Sequence, residues 1–360
     1  MARVHNFNAG PAVLPEEVLL EVQEELLDYQ GKGLSVMEMS HRSKEYGEII
    51  NNAVETMKRI MNLGDKYEVL YLHGGASTQF YMIPLNFCPE GKITNYVDTG
   101  AWSTKALKEA KKIGKKMHVA ASSEDKSYTY IPKKFDVSEN PAYLHITTNN
   151  TIRGTEFKID PDIPAEIPLI ADMSSNFLSK PLDFHKYSMI YGGAQKNIGP
   201  AGVAFVIIRK DMIEKINPNL PSMMDYKTHI DKGSMFNTPP AFAIYVVGKV
   251  LNWIEKNGGL EAREKYNIEK ANYLYNILDN SDFYQGTVVK EDRSLMNIPF
   301  RLPTEDLEKK FIAEAAENGM IGLKGHRSVG GCRASLYNSL PMKAAQDLAQ
   351  FMLDFEKKNQ

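Results

Sequence analysis

Lys196 and Asp172 are the residues of this sequence whose types and positions most clearly indicate chemistry. Lys196 lies on a short glycine-containing connector between two apolar runs, 187–191 and 202–209, both predicted to be strands. Asp172 ends another apolar run upstream. A connector lysine can bond covalently to a cofactor aldehyde, and an acid at a strand end can keep a ring nitrogen protonated. A lone lysine is usually a solvated surface charge, but the two residues together predict a pyridoxal phosphate enzyme.

The composition excludes several other classes of protein. The chain has 360 residues, of which 43% are hydrophobic and 24% charged, and its formal net charge is −2. That charge argues against nucleic acid as a partner, and no apolar run approaches the ~18 residues that indicate a membrane span. The two cysteines, Cys88 and Cys332, form neither a metal-binding spacing nor a disulfide framework. We therefore expect a cytoplasmic protein with no metal site and no membrane partner.

The order of predicted elements indicates an α/β fold. Short apolar strands alternate with amphipathic helices over most of the chain, as in a mostly parallel sheet covered by helices. The first of these helices is predicted over 15–30. After a glycine pair near residue 258 the pattern changes to long helices with few strands. We expect an N-terminal arm (1–15) that packs on another element, a large domain (16–258) and a small C-terminal α+β domain (259–360).

Further segments have the composition of a cofactor site. Residues 74–78 follow a strand and open a helix, which suits a phosphate group or is a plain capped turn. Trp102 begins another helix and could stack on a planar ring or belong to the core. The polar loop 148–155 follows a strand, at the end where α/β folds bind ligands. Gln195 could donate to a phosphate, and Thr238 precedes a long helix, which it could simply cap.

Taken together, these segments resemble the phosphoserine aminotransferases, a family of class V, fold-type-I pyridoxal phosphate enzymes. The resemblance runs nearly end to end and is most specific at His41-Arg42 and 325–335. It implies a large domain with a mostly parallel mixed sheet between helices and a smaller α+β domain. One departure is at Asn8-Ala9-Gly10, where many members carry Ser-Ser-Gly or Ser-Ala-Gly. A backbone contact of the arm would survive that change, whereas a hydroxyl contact would not.

The resemblance also implies roles for individual residues. Lys196 carries the covalent bond to pyridoxal 5'-phosphate, and Asp172 pairs with its ring nitrogen. The family's remaining cofactor contacts fall, in this sequence, on Ala76, Ser77, Trp102, Thr151, Gln195, Asn237 and Thr238. The last two are expected to reach the cofactor from the partner subunit of a homodimer.

The implied reaction moves the amino group of L-glutamate to 3-phosphohydroxypyruvate, giving O-phospho-L-serine and 2-oxoglutarate in serine biosynthesis. Both substrates are anions, which arginine binds well through its planar fork of donors. We assign Arg333 to the α-carboxylate. The other predicted substrate-binding residues are Ala9 in the arm and, for the distal phosphate or carboxylate, His41, Arg42, His326 and Arg327. Whether the four-carbon phosphorylated keto acid of pyridoxine biosynthesis is also a substrate stays open.

Four other functions are alternatives to this one. A cysteine desulfurase needs a mobile nucleophilic cysteine, and neither Cys88 nor Cys332 lies in a flexible segment. An alanine–glyoxylate-type aminotransferase would not need a second set of cations. A nicotinamide oxidoreductase would carry a glycine fingerprint after its first strand, which is missing here. A non-catalytic phosphate-binding protein would use 74–78 and leave Lys196 and Asp172 incidental.

Overall fold

The structure is a computed structural model, and it describes residues 3–360. The helices in this part of the chain are α1 (Glu16–Glu24), α2 (Lys44–Ile60), α3 (Gly75–Phe87), α4 (Ala101–Lys112), α5 (Lys210–Ile213), α6 (Tyr226–Asp231), α7 (Ala241–Lys256), α8 (Gly259–Asn280), α9 (Glu305–Glu317) and α10 (Met342–Asn359). The strands are β1 (His5–Asn6), β2 (Tyr67–Leu72), β3 (Ile93–Asp98), β4 (Met117–Ser122), β5 (Pro141–Thr147), β6 (Leu169–Asp172), β7 (Met189–Gly193), β8 (Ala204–Arg209), β9 (Gln285–Gly286), β10 (Asn297–Arg301), β11 (Met320–Ile321) and β12 (Cys332–Ser335).

A seven-stranded sheet organises the larger part of the molecule, in the order β2-β8-β7-β6-β5-β3-β4. Only β8 runs against its neighbours, since it pairs antiparallel with both β2 and β7. The central strands are apolar and buried on both faces, as expected when helices cover both sides of a parallel sheet. The expected α/β fold with a mostly parallel mixed sheet is therefore confirmed.

Two hydrophobic cores cover the faces of this sheet. On one face α2 and α7 pack together, with residues such as Ala53 and Val247 wholly buried. The Ser43 hydroxyl accepts a hydrogen bond from the Tyr46 backbone N–H and so caps the N-terminus of α2. On the other face α3 and α4 contribute residues such as Phe80. The sheet is thereby held rigidly, and its loops can carry function.

The C-terminal part has a third core of its own. The antiparallel sheet β12-β10-β9 packs with α8, α9 and α10. The N-terminal arm joins this part, because β1 pairs parallel with β11 and Phe7 is fully buried in the same core. These cores support the division near residue 258 that we propose. Among the described residues, no helix combines the length and the apolar character that a membrane crossing requires.

The prediction of a helix over 15–30 is wrong in its second half. Helix α1 ends at Glu24, and the chain then turns, with Gln30 in the left-handed region at φ 53°. Tyr29, which fits the helical periodicity, instead packs edge-on against Tyr245 of α7, with 5.8 Å between ring centroids. A tertiary contact therefore partly buries Tyr29, although Tyr29 lies outside the helix. Strand β4 was not predicted.

Candidate active site

The candidate site lies where the parallel strands end. Because β3, β5, β6 and β7 run in one direction, the loops after their carboxyl ends meet at one edge of the sheet. A cavity at this edge is lined by Gly75, Ala76, Ser77, Phe80, Trp102, Thr147, Asn149, Thr151, Asp172, Ser174, Ser175, Gln195 and Lys196. Seven predicted residues, from four chain segments and the β7–β8 connector, are thus brought together.

Lys196 is half-buried on the connector between β7 and β8. Its Nζ donates a hydrogen bond of 2.7 Å to Thr151 Oγ1. Burial lowers the pKa of Lys196 to about 8, with the positive charge of Arg333 acting in the same direction and the carboxylate of Asp172 opposing it. The amine is therefore neutral in a larger fraction of molecules near neutral pH than an ordinary lysine is, which suits a nucleophile or a base.

Asp172 ends β6 inside the cavity wall and is almost fully buried. Its Oδ1 accepts hydrogen bonds from the backbone N–H and the hydroxyl of Ser174, at 2.9 and 2.6 Å. Burial raises the pKa of Asp172, although the Ser174 bonds and the charge of Lys196 act against that rise. The carboxylate is thus fixed in position but not fully neutralised within the chain. A cationic group of a ligand would stabilise its ionised form.

The opposite wall is formed by α3 and α4. Gly74 precedes α3 in the left-handed region (φ 82°), and a Cβ there would come within 2.0 Å of Thr78 Oγ1, so glycine is required. The first turn of α3 then presents backbone N–H groups without intrahelical partners, a common anion site. The ring of Trp102, in the first turn of α4, has its centroid 5.8 Å from Lys196 Nζ.

The small C-terminal part and the arm reach this site. Arg333 in β12 is buried, and its Nη1 donates a hydrogen bond of 3.0 Å to the carbonyl oxygen of Thr151. The side-chain hydroxyl of the same threonine accepts the hydrogen bond from Lys196. Ala9 in the arm accepts a hydrogen bond of 2.8 Å from the Tyr337 hydroxyl through its carbonyl oxygen. This is a backbone contact, so it does not depend on which side chains the arm carries at Asn8 and Ala9, where the sequence differs from many members of the family. A Cβ on Gly10 would lie 3.4 Å from Lys196 Cγ, which places the arm beside the lysine.

His326 and Arg327 lie in the loop between β11 and β12. His326 is half-buried, Arg327 is exposed, and the His326 ring pairs with the Ser328 hydroxyl at 2.8 Å. Burial lowers the pKa of His326, as do the positive charges of Arg333, Arg327 and Lys105. The loop therefore stands close enough to Arg333 for the cations to act on one another.

Four predicted residues belong neither to the cavity wall nor to the arm and C-terminal segments described above. His41 and Arg42 lie in the turn before α2, and Asn237 and Thr238 lie in an exposed segment before α7. The structure does not bring any of them beside Lys196 within one chain. If they act at this site, they must do so from a second copy.

Sequence reasoning missed part of the cavity wall. Thr147 ends β5, and Ser174 and Ser175 follow Asp172 closely. The rule that ligands bind at the ends of parallel strands applies to these three residues and would have found them. Asn149 lies in the polar loop 148–155, which the sequence pattern indicates without pointing to this residue. Phe80 gave no such signal, because an apolar residue on the buried face of a helix is ordinarily core.

The cysteines do not suit nucleophilic chemistry. Cys88 and Cys332 are each about 1% exposed, and burial raises the pKa of both thiols. Buried thiols with raised pKa values are inert. This counts against a cysteine desulfurase. Within residues 3–360, no group of three or more His, Cys, Asp or Glu side chains is arranged to hold a metal ion.

Comparison with known proteins agrees with the fold. The class-V aminotransferase family model matches residues 4–348, so the chain is a class-V aminotransferase. The phosphoserine aminotransferase of Desulfatibacillum aliphaticivorans is 59% identical to the chain over 99% of both sequences. The chain belongs to the phosphoserine aminotransferase family of that class.

Solved structures of the family superpose on the whole chain. Phosphoserine aminotransferase from Bacillus circulans subsp. alkalophilus matches with a TM-score of 0.97 and 49% identity, covering 99% of each chain. The pyridoxal phosphate-bound enzyme from Trichomonas vaginalis matches with a TM-score of 0.93 and 40% identity, covering 98% of this chain and 100% of that one.

Proposed function

We propose that this protein is a phosphoserine aminotransferase that transfers the amino group of L-glutamate to 3-phosphohydroxypyruvate with pyridoxal 5'-phosphate as cofactor. The products are O-phospho-L-serine and 2-oxoglutarate. The observation that carries the proposal is the placement of Lys196 and Asp172 in one buried cavity, in a chain 59% identical to a phosphoserine aminotransferase.

The cavity wall fits this cofactor in its chemistry. Within the described chain, Trp102 Nε1, Thr147 Oγ1 and Asn149 Oδ1 are buried polar atoms without a hydrogen-bond partner. Such atoms are uncommon in folded proteins and call for a partner. A buried carboxylate with raised pKa and a lysine with lowered pKa lie in the same wall. A planar cofactor with a basic ring nitrogen, an aldehyde and a phosphate matches these groups.

The residues that would hold the cofactor can be named from this wall. Lys196 Nζ would bond to it, Asp172 would pair with its ring nitrogen, and Trp102 would cover its ring face. The first turn of α3, with Ala76 and Ser77, would receive the phosphate together with Gln195. When bound, the cofactor would supply an electron sink that allows the amino group to be transferred from the donor to the acceptor.

Each residue then has a definite task in the transfer. Lys196 Nζ, once free, would remove the proton from Cα of glutamate in the first half of the reaction and deliver a proton to Cα of the product amino acid in the second half. Thr151 Oγ1 accepts from Lys196 Nζ and so fixes where that amine lies. Asp172 holds a positive charge on the ring nitrogen. Arg333, anchored on the Thr151 carbonyl, receives the substrate α-carboxylate and aligns Cα with the lysine.

The distal anion of the substrate requires further cations. We propose that His326 and Arg327 of the β11–β12 loop supply them, and the effect of the Arg333 charge on the pKa of His326 supports this assignment. We propose that His41 and Arg42, together with the cofactor contacts Asn237 and Thr238, come from the second subunit of a homodimer. The exposed position of Arg42, Asn237 and Thr238 in one chain supports this assignment.

The cofactor assignment is tested by its attachment. Purified protein should be yellow, and borohydride reduction should add the cofactor mass to the peptide that contains Lys196. Lys196→Ala should lose that adduct, whereas Lys105→Ala, which removes another lysine near Trp102, should keep it. A colourless protein that does not take up added pyridoxal phosphate would favour the non-catalytic binding protein instead.

The reaction is tested by the formation of 2-oxoglutarate from glutamate with each keto acid. Turnover should depend on 3-phosphohydroxypyruvate, and Arg333→Ala should reduce it on the order of 10²–10³-fold, as expected for loss of a positioning contact. Hydroxypyruvate, which lacks the phosphate, is the matched control. Equal turnover of the two keto acids would overturn the phosphate assignment. The four-carbon phosphorylated keto acid is assayed alongside.

The shared site is tested by mixing two inactive variants. In a mixed dimer of Lys196→Ala and Arg42→Ala, one site has neither residue and the other has both. Mixing equal amounts after subunit exchange should restore about a quarter of wild-type activity, because half of the dimers are mixed and each has one intact site. No recovery after proven exchange would place Arg42 in the site of its own chain or outside any site.

A further inference from the structure

Lys105 is a cation beside the cavity that none of the roles above uses. It lies on α4, three residues after Trp102, and its Nζ is 4.3 Å from the centroid of the Trp102 ring. Lys196 Nζ is 5.8 Å from the same centroid. An ammonium at such a distance is attracted by the aromatic ring. The ring that lines the cofactor cavity therefore also holds a second, solvent-exposed positive charge.

Lys105 also lines a groove that shares part of its wall with the cavity. This groove lies between α3 and α4, and Ser77 and Phe80 line both it and the cofactor cavity. A ligand that extends out of the cavity on this side would meet the Lys105 ammonium.

The charge of Lys105 reaches the loop that we assign to the distal anion. Lys105 is one of three cations, with Arg333 and Arg327, whose charges act on His326. In the part of the chain that the structure describes, no carboxylate lies within salt-bridge distance of Lys105, whereas Lys112 on the same helix pairs with Glu109 at 2.6 Å. Lys105 is thus an exposed cation beside Trp102 that has no salt-bridge partner in residues 3–360 and whose charge acts on His326 of the β11–β12 loop.

We propose that Lys105 binds the distal phosphate of the substrate and favours it over a distal carboxylate. The proposal rests on the proposed function and adds a specificity residue to it. A phosphate monoester carries about −1.5 to −2 charges near pH 7, and the distal carboxylate of glutamate carries one. One additional cation therefore attracts the phosphorylated substrate more strongly than glutamate.

The test compares Lys105→Met with Lys111→Met in the holoenzyme. Lys111 is an exposed lysine on the same helix that lines neither cavity nor groove, so its loss removes the same charge elsewhere. Lys105→Met should raise KM for 3-phosphohydroxypyruvate about fivefold, the size of one exposed ion pair, with kcat nearly unchanged. KM for glutamate should rise less, Lys111→Met should change neither, and Lys105→Arg should restore the wild-type values.

Salt provides a second readout. The difference between Lys105→Met and wild type should shrink as ionic strength rises, because exposed charges are screened. Equal behaviour of Lys105→Met and Lys111→Met would overturn the proposal, as would a loss of kcat on both substrates, which would mean that Lys105 only supports Trp102. If wild-type enzyme does not distinguish hydroxypyruvate from its phosphorylated form, the proposed function fails and this proposal fails with it.

Discussion

Two buried carboxylates in this molecule have opposite surroundings. Glu156, which follows the loop after β5, is fully buried and is met by Lys158 at 2.7 Å, by Lys180 at 2.9 Å and by the backbone N–H of Leu295 at 3.2 Å. Asp172 is buried to nearly the same degree, but within residues 3–360 its carboxylate accepts hydrogen bonds from Ser174 alone. One carboxylate is enclosed by cations, and the other has only the half-buried lysine of the cavity near it.

The pKa values follow this difference. Burial acts to raise the pKa of Glu156, but the charges and hydrogen bonds of Lys180 and Lys158 outweigh it and lower the pKa to about 2. For Asp172 burial prevails and the pKa is raised. The negative charge of Glu156, which stabilises the fold, is thus balanced by lysines of the protein. The negative charge of Asp172 is instead available to a cationic group of a ligand. Removal of each should therefore affect a different property.

Asp172→Asn should separate function from stability most strongly. It keeps the shape of the side chain and removes the charge that would hold the cofactor ring nitrogen protonated. We expect kcat to fall on the order of 10²–10³-fold, as for loss of an electrostatic contact in a catalytic site. Denaturation of the cofactor-free protein should show equal or greater stability than wild type, since ionised Asp172 is unfavourable there. Substantial activity in this variant would remove the basis of the comparison.

Glu156→Gln should show the reverse. It leaves Lys180 buried without its carboxylate, which should lower the free energy of unfolding by about 3 kcal/mol. Activity at 25 °C should stay within a few-fold of wild type. In the wild type, the contribution of Glu156 is complete above its ordinary pKa of 4.5 and is lost as pH falls toward about 2. Denaturant titrations at several acid pH values should show that loss in the wild type and not in the variant.

Glu156 and Asp172 also differ in how well their surroundings can be predicted from the sequence. Asp172 ends an apolar strand, and Lys196 sits between two more, so the local pattern alone places both at the ligand-binding edge. Glu156 lies in a polar stretch that is typical of a solvent-exposed loop. Its burial depends on Lys180 and on Leu295 from the C-terminal part, and no local periodicity encodes contacts over such separations.

The same limit explains the other omissions. The contact of Tyr337 with the carbonyl of Ala9 joins opposite ends of the chain. Helix α1 ends at Glu24 although no helix-stopping residue stands there, and Tyr29 beyond it packs on Tyr245. Strand ends, helix starts and the site residues on them are therefore predictable, whereas contacts between segments far apart in the sequence are not.

Ser174→Ala sharpens the comparison at Asp172 itself. The variant removes the 2.6 Å hydrogen bond from the hydroxyl and keeps the backbone bond at 2.9 Å. With one donor fewer, the pKa of Asp172 should rise further, and kcat/KM should fall about tenfold, the value of one hydrogen bond to a charged group. Ser174→Thr keeps the hydroxyl and is the control. Equal losses in both variants would mean that packing, and not the hydrogen bond, is what matters.

The smallest effect is expected on the titration of Lys196. In the cofactor-free protein an amine-directed reagent should modify Lys196 with a midpoint near the pKa of about 8, because only the neutral amine reacts. The carboxylate of Asp172 raises that pKa, so Asp172→Asn should move the midpoint lower. Glu156→Gln should leave it in place, since Glu156 is not among the charges that act on Lys196. Mass spectrometry of the modified peptide gives the midpoint directly. An upward or absent shift in Asp172→Asn would show that the two cavity residues do not sense each other's charge.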